Sequence, residues 1–184
     1  EDDTCRRRFG WKLGELPYGY DHKYIYSQIG YNLKLTDMQA AIGLAQLTKL
    51  PLFIRKRKEN FHKLLQHLKQ YERYLLFTEA EKEADPSWFG FMIVVRENAP
   101  FTKLELVKYL EEHKIATRSL FAGNLLKHPA YLKRQDVRVV GKLTNSNKIM
   151  NDGFWIGVYP GITKEMIAYV ASVFDSFLAR YKNV

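Results

Sequence analysis

GYNLKLTDMQAAIG, residues 30–43, is the stretch on which the reading of this chain turns. Thr36 and Gln39 have the S/T-x-x-E/Q spacing of a capping box, which starts a helix near Thr36. Beyond it Met38, Ala40, Ala41, Ile42, Leu44, Ala45 and Leu47 lie nearly all round the helix. An all-round apolar pattern predicts a buried helix. Ala40, Ala41 and Gly43 permit close backbone approach. Asn32 stands just before this helix, where a rigidly held amide is well placed to donate to an anion. Taken alone, these residues favour the plainer description of a turn asparagine leading into a core helix.

Working outward, Pro51 interrupts the helix, and residues 52–71 resume as an amphipathic one. The pair reads as a spine joining two domains. Upstream, residues 1–30 are rich in Gly, Tyr and Trp and have no helical period. Downstream, residues 79–85 form a charged loop, after which a small α/β unit is expected. Its strands are residues 88–95, 115–121 and 154–158. Thr102 and Glu105 make a second capping box, opening a helix that runs to about His113. Residues 128–140 read as loop with a short helix, and residues 143–151 as another short helix. Thr163 caps the last helix, whose apolar face is Ile167, Val170, Phe174, Phe177, Leu178 and Tyr181.

The chain has 184 residues, 46% of them hydrophobic, enough for a core. No run of about 18 apolar residues suggests a transmembrane helix. The first residues, EDDTCRRRFGW, are charged and lack the apolar segment of a signal peptide. They also lack an initiator Met and any obvious start of a first element, so the chain reads as a fragment of a longer protein. The single cysteine, Cys5, excludes an internal disulfide framework and fits a cytoplasmic setting. The net charge is +9, with a dense run at Arg55, Lys56, Arg57 and Lys58. On an amphipathic helix such a run describes a solvated face better than a nucleic-acid site, and no RNA- or DNA-binding signature accompanies it. A basic chain also attracts small anionic ligands.

The stretch 30–43 and its continuation GLAQLTKLPLFIRKRKENF (43–61) resemble the DegT/DnrJ/EryC1/StrS family, sugar enzymes of the fold-type I pyridoxal-phosphate class. TCRRRFGWKLGELPYGYDHKYIYS (4–27), DPSWFGF (85–91), TRSLFAGNLLKHPAY (117–131) and FWIGVYPG (154–161) are similar to one branch of it, the 3-dehydrases that make 3,6-dideoxyhexoses. The resemblance implies an α/β chain with an α+β small domain, the C-terminal part of a fold-type I transferase. Residues 1–50 would close the large cofactor-binding domain, 51–75 would be the linking helix, and 76–184 the small domain. It implies a cytoplasmic homodimer that binds pyridoxamine 5'-phosphate (or pyridoxal phosphate) and a [2Fe–2S] cluster. Its substrate would be a nucleotide-sugar, a CDP-linked 4-keto-6-deoxyhexose losing its C3 hydroxyl during O-antigen synthesis. Electrons would come from an NAD(P)H-dependent iron–sulfur flavin reductase. No membrane or nucleic-acid partner is implied. The alternative within the family is a pyridoxal-phosphate aminotransferase; outside it, a basic nucleic-acid-binding module.

The same resemblance assigns residues. Asn32 of the GYN motif would reach the cofactor phosphate of the neighbouring subunit. Cys5 would be the last of four cluster thiolates, soft anionic donors suited to iron. By itself a lone cysteine describes a small buried hydrophobe. The central catalytic residue, a histidine in the dehydrase branch and a lysine in the aminotransferases, would lie upstream, leaving this chain inactive alone. Arg118, Phe121 and Asn124 would line the substrate side: a bidentate anion donor, a stacking face and a hydrogen-bonding amide. Leu120 and Phe121 stand where related aminotransferases often carry a His-Tyr pair, which favours the dehydrase branch. Gln28 departs from that branch, which usually has His there. His22 and His128 fall in matched stretches, whereas His62, His67 and His113 sit on helices and read as surface or packing residues. No zinc-binding spacing and no Gly-rich phosphate loop is present.

Overall fold

The computed structural model describes residues 8–26 and 28–181. They divide into two compact units, one up to Ala45 and one from Gln46. In the first, Arg8 pairs with Asp21, and the Gly19 amide donates to the Trp11 carbonyl at 3.1 Å. A short 3₁₀ turn, His22–Tyr24, is followed by chain without regular structure up to α1 (Asp37–Leu47). The box that opens α1 is formed: the Thr36 amide donates to Gln39 Oε1 at 3.0 Å, and the Gln39 amide to Thr36 Oγ1 at 3.4 Å. The expectation of a buried helix does not hold in this chain. No residue of α1 is buried, and Met38, Ile42, Leu44 and Leu47 are all exposed. The apolar pattern reports that the helix has apolar surface on every side, not what covers it.

The second unit opens with α2 (Leu50–Leu68). Pro51 lies in its first turn, where a missing N–H leaves no bond unmade, so it opens this helix rather than breaking it. A 3₁₀ turn, Lys69–Tyr71, extends it as far as the sequence suggests. Four strands follow where three were expected: β1 (Leu75–Phe77), β2 (Gly90–Val95), β3 (Thr117–Ser119) and β4 (Gly153–Gly157). They pair antiparallel in the order β1-β2-β4-β3. β1 escaped notice because three residues are too few to show an alternation. The remaining helices are α3 (Lys103–Glu112), α4 (Thr144–Asp152) and α5 (Lys164–Leu178). Thr102 and Glu105 form both halves of their box at α3, and Thr163 caps α5. The short helix expected within residues 128–140 is absent; a 3₁₀ turn at Leu125–Lys127 comes just before it.

One face of the sheet carries Phe91, Ile93, Phe154 and Ile156 into the core, where they join buried side chains of α2, α3 and α5. Asn60, buried in α2, donates to the carbonyls of Tyr159 (3.0 Å) and Ile162 (3.3 Å) and so fixes the turn before α5. At its other end Tyr71 hydrogen-bonds Asp175 of α5. Burial and that bond push the Tyr71 hydroxyl well above its ordinary value. The opposite face bears Leu76, Met92 and Val94 beside Asn145, Lys148 and Ile149 of α4. This arrangement leaves the loop after β3 next to α4.

Candidate functional site

Asn32 belongs to the first unit. Its backbone is left-handed, with φ of 56°, a conformation that asparagine tolerates better than most residues. The side chain is exposed, and among the described residues its amide has no partner. A donor held in a fixed turn and not used by its own chain suits an anionic acceptor. Cys5 lies outside the described residues. Among the described residues no group of three or more His, Cys, Asp or Glu is placed to hold a metal ion.

The three residues expected on the substrate side belong to the second unit and sit together at the end of β3. Arg118 lies on this strand opposite Trp155 of β4; its guanidinium is exposed and has no carboxylate partner among the described residues. The strand ends at Ser119, earlier than the sequence suggests, because Phe121 turns left-handed, with φ of 47°. For a bulky residue that conformation costs roughly 1–2 kcal/mol. The Phe121 amide donates to the Ser119 carbonyl at 2.7 Å, and the residue is 77% exposed. Asn124, by contrast, is buried, and both ends of its amide are engaged within the chain. Its Nδ2 donates to Asn147 Oδ1 of α4 at 2.8 Å, and its Oδ1 accepts from the Leu126 amide at 3.1 Å. In this structure it shapes the loop that displays Phe121.

Several supporting residues complete the arrangement, of which the sequence had singled out His128. Gly123 has φ of 59°, and a Cβ there would lie 2.6 Å from Met150 Cβ, so a side chain is excluded twice over. His128 Nε2 lies 2.7 Å from the Ala122 carbonyl, which can only accept, so this nitrogen carries a hydrogen. Phe121, Gly123, Lys127, His128 and Met150 border a cavity of about 330 Å³. α4 is itself tethered, since Lys103 Nζ donates to the Met150 carbonyl at 2.6 Å; burial lowers the pKa of that ammonium. Glu111 accepts from the Thr117 amide (2.6 Å) and hydroxyl (2.7 Å) at the start of β3. Those two bonds hold its carboxyl below the usual value.

The other histidines on helices are structural: His62 and His113 each bond the carbonyl one turn back, at 2.7 Å. The basic run is threaded with ion pairs. Arg55 and Lys56 meet Glu59, and Lys58 meets Asp85, which is the pattern of a solvated helix face.

The DegT/DnrJ/EryC1/StrS aminotransferase family matches residues 9–175. This chain belongs to that family. It is 54% identical over 176 residues to the lipopolysaccharide biosynthesis protein RfbH of Salmonella typhimurium, covering 96% of this chain and 40% of that protein. It is 47% identical over 179 residues to dTDP-4-dehydro-2,6-dideoxy-D-glucose 3-dehydratase of Saccharopolyspora spinosa, covering 97% and 38%. The chain thus spans about two-fifths of the length of these relatives. Among solved structures it is similar to an E. coli GDP-4-keto-6-deoxy-D-mannose-3-dehydratase with bound hydrated PLP, with a TM-score of 0.73 and 28% identity, covering 93% of this chain and 46% of that one. A GDP-4-keto-6-deoxymannose-3-dehydratase with a trapped PLP-glutamate geminal diamine gives 0.72 and 30%, covering 82% and 38%. The fold is therefore that of part of a fold-type I pyridoxal-phosphate enzyme. Among the described residues no helix is long and apolar enough to cross a membrane.

Proposed function

We propose that the complete enzyme is a pyridoxamine-phosphate-dependent nucleotide-sugar 3-dehydratase, removing the C3 hydroxyl of a nucleotide-linked 4-keto-6-deoxyhexose for surface-polysaccharide synthesis. What carries the reading is how similarity falls among the relatives. Identity is 54% to RfbH and 47% to a dTDP-sugar 3-dehydratase, then 35% to a GDP-sugar 3-dehydratase of Yersinia pseudotuberculosis. It is only 26% to a dTDP-sugar transaminase of Shigella dysenteriae.

In this reading Asn32 donates its amide to the phosphate of the neighbouring subunit's cofactor, for which its unengaged donor is suited. When bound, that cofactor supplies an amine for the sugar ketone and an electron sink. Arg118 offers a fork of donors to the substrate's phosphates, and Phe121 an aromatic face. Asn124 keeps its place on the substrate side through the loop it holds. Cys5 is one thiolate of a [2Fe–2S] cluster that a flavin reductase serves. The exposed apolar side chains of α1 are covered by the rest of the large domain and by the second subunit of a cytoplasmic dimer. A CDP-linked sugar remains the first substrate to try.

The test is to offer the full-length enzyme CDP-, dTDP- and GDP-linked 4-keto-6-deoxyhexoses, with and without L-glutamate. Loss of the C3 hydroxyl supports the reading. Amino transfer to C4 without dehydration makes the enzyme an aminotransferase instead. The 184-residue chain alone should turn over none of them.

A further inference from the structure

We propose that His128, Asn147 and Met150 form a positioning lock that holds Phe121 in its left-handed turn, and that this lock sets how tightly the complete enzyme grips the nucleotide end of its substrate. The inference rests on the nucleotide-sugar reading above.

A bulky residue keeps a strained backbone only where its surroundings over-determine it, and such residues gather at ligand sites. Phe121 is strained and gains little from packing, because the residue stands 77% exposed. The compensation comes from its neighbours. The Ala122 carbonyl, one residue on, receives the His128 Nε2–H at 2.7 Å. Gly123, two residues on, is seated against Met150 so closely that no side chain fits. Asn124, three residues on, is 6% exposed and bonded through its amide to Asn147. Met150 and Asn147 both come from α4, whose backbone Lys103 anchors to α3. Three successive residues after the phenylalanine are thus held from outside their own turn.

What the lock presents is an exposed aromatic residue on a cavity whose lining also includes Lys127. A flat apolar face beside a cation has the chemistry to receive a heterocyclic base and a phosphate. His128 borders the same cavity, but its Nε2–H is spent on the Ala122 carbonyl, and it is through that bond that the lock acts on a ligand. His128, Asn147 and Met150 are therefore positioning residues, acting through Phe121.

The test is a double-mutant cycle on the full-length enzyme, reading the Kd for whichever of CDP, dTDP or GDP the wild type binds most tightly. Phe121→Gly should weaken binding about tenfold while raising Tm, because glycine accepts the left-handed turn without strain. His128→Ala should weaken binding several-fold, and His128→Gln, which keeps an N–H donor, should recover most of it. In the Phe121→Gly background His128→Ala should have no further effect, since the lock would have nothing left to position. Asn147→Ala should behave as His128→Ala does, and serves if the latter fails to fold. Additive losses in the cycle, or wild-type affinity in folded His128→Ala and Asn147→Ala, overturn the lock and leave the nucleotide-sugar reading standing. A folded wild type that binds none of the three nucleotides overturns both.

Discussion

Phe91, Leu106, Phe154 and Phe174 of the second unit are sealed from water, whereas Tyr26, Ile29, Tyr31 and Leu33 of the first stand almost fully exposed. Both units have the apolar side chains that folding requires. Only the second arranges them against one another, with the sheet on one side and α2, α3 and α5 on the other. Apolar surface left in water forgoes roughly 25 cal/mol per Å². A helix apolar all round and buried nowhere is therefore built for contact with surface outside its own unit. The second unit carries its stability within itself. The stability of the first is deferred to what covers it, which in the reading proposed here is the rest of the large domain and a neighbouring subunit.

The sharpest way to break that contrast is to cut one apolar side chain in each unit. In this chain Phe91→Ala should cost about 3–5 kcal/mol, the usual range for emptying a phenylalanine site. Ile42→Ala on α1 should change unfolding by less than about 0.5 kcal/mol, as exposed substitutions do. In the full-length enzyme Ile42→Ala should become costly, by about 2 kcal/mol or more, once its surface is covered. Denaturant unfolding of both proteins decides the matter. A loss in the short chain as large for Ile42→Ala as for Phe91→Ala would mean the first unit already holds a core of its own.

The first unit has a job to lose even where it has little stability to lose. Asn32→Ala should cost this chain no more than roughly 1 kcal/mol of left-handed backbone strain, because its amide bonds to none of the described residues. In the full enzyme the same change removes a hydrogen bond to a charged phosphate. That bond contributes about 1.5–3 kcal/mol, roughly a tenfold to hundredfold loss in affinity for pyridoxamine phosphate. Titrating the cofactor into the variant checks it, and unaltered binding would reduce Asn32 to a turn residue.

How far the sequence could be read follows the same divide. Both capping boxes, the long helix after Pro51 and the apolar face of α5 were legible because each is a local pattern of a few residues at fixed spacing. β1 was not, since three residues carry no period and its place depends on pairing with β2. Nor was the early end of β3 at Ser119, where Ile115–Phe121 looks like one strand. In the lock proposed above, the left-handed turn at Phe121 is held through contacts of Gly123 and Asn124 with α4, about thirty residues further along. Arg118, Phe121 and Asn124 were found as neighbours in sequence, but the division between a displayed ring and a buried amide was not. His128, Asn147 and Met150 lie too far apart in the chain for any spacing rule to join them. What covers α1 was not legible for a plainer reason: an all-round apolar pattern speaks of a helix's own surface and is silent about its neighbour.

The two boxes offer a finer comparison, because the same motif opens a helix in each unit. Thr102→Ala should lower the unfolding stability of this chain by about 1 kcal/mol, the usual cost of losing an N-cap. α3 buries Leu106 and Leu110 in the core, so fraying its start is felt throughout the second unit. Thr36→Ala removes an equivalent cap from a helix that buries nothing, and the global transition should barely move. Helix-specific hydrogen exchange would see both changes, and denaturant midpoints only the first. Equal midpoint shifts would show that α1 is coupled to the core.

The smallest effect expected is one of pH, and it divides the units by chemistry rather than by burial. The box of α1 closes on Gln39, which does not titrate. The box of α3 closes on Glu105, and β3 begins on Glu111. Hydrogen bonds from Thr102 and Thr117 hold these two carboxyls below the ordinary glutamate value of 4.5. A carboxyl depressed by folding contributes stability above its unfolded pKa and loses it as pH falls through the folded one. Acidification below about pH 4.5 should therefore loosen the start of α3 and of β3 while leaving the cap of α1 intact. Both carboxylates are exposed, so the change is modest and best read locally. Glu111→Gln keeps an acceptor for the Thr117 amide but no charge to lose. It should start with a weaker β3 at neutral pH and show a flatter acid profile there. Exchange rates of the 117–119 amides between pH 7 and pH 3, corrected for intrinsic rates, supply the measurement. If β3 in Glu111→Gln opens with the same acid profile as the wild type, Glu111 does not tie the strand, and the loop that displays Phe121 owes its footing to α4 and His128.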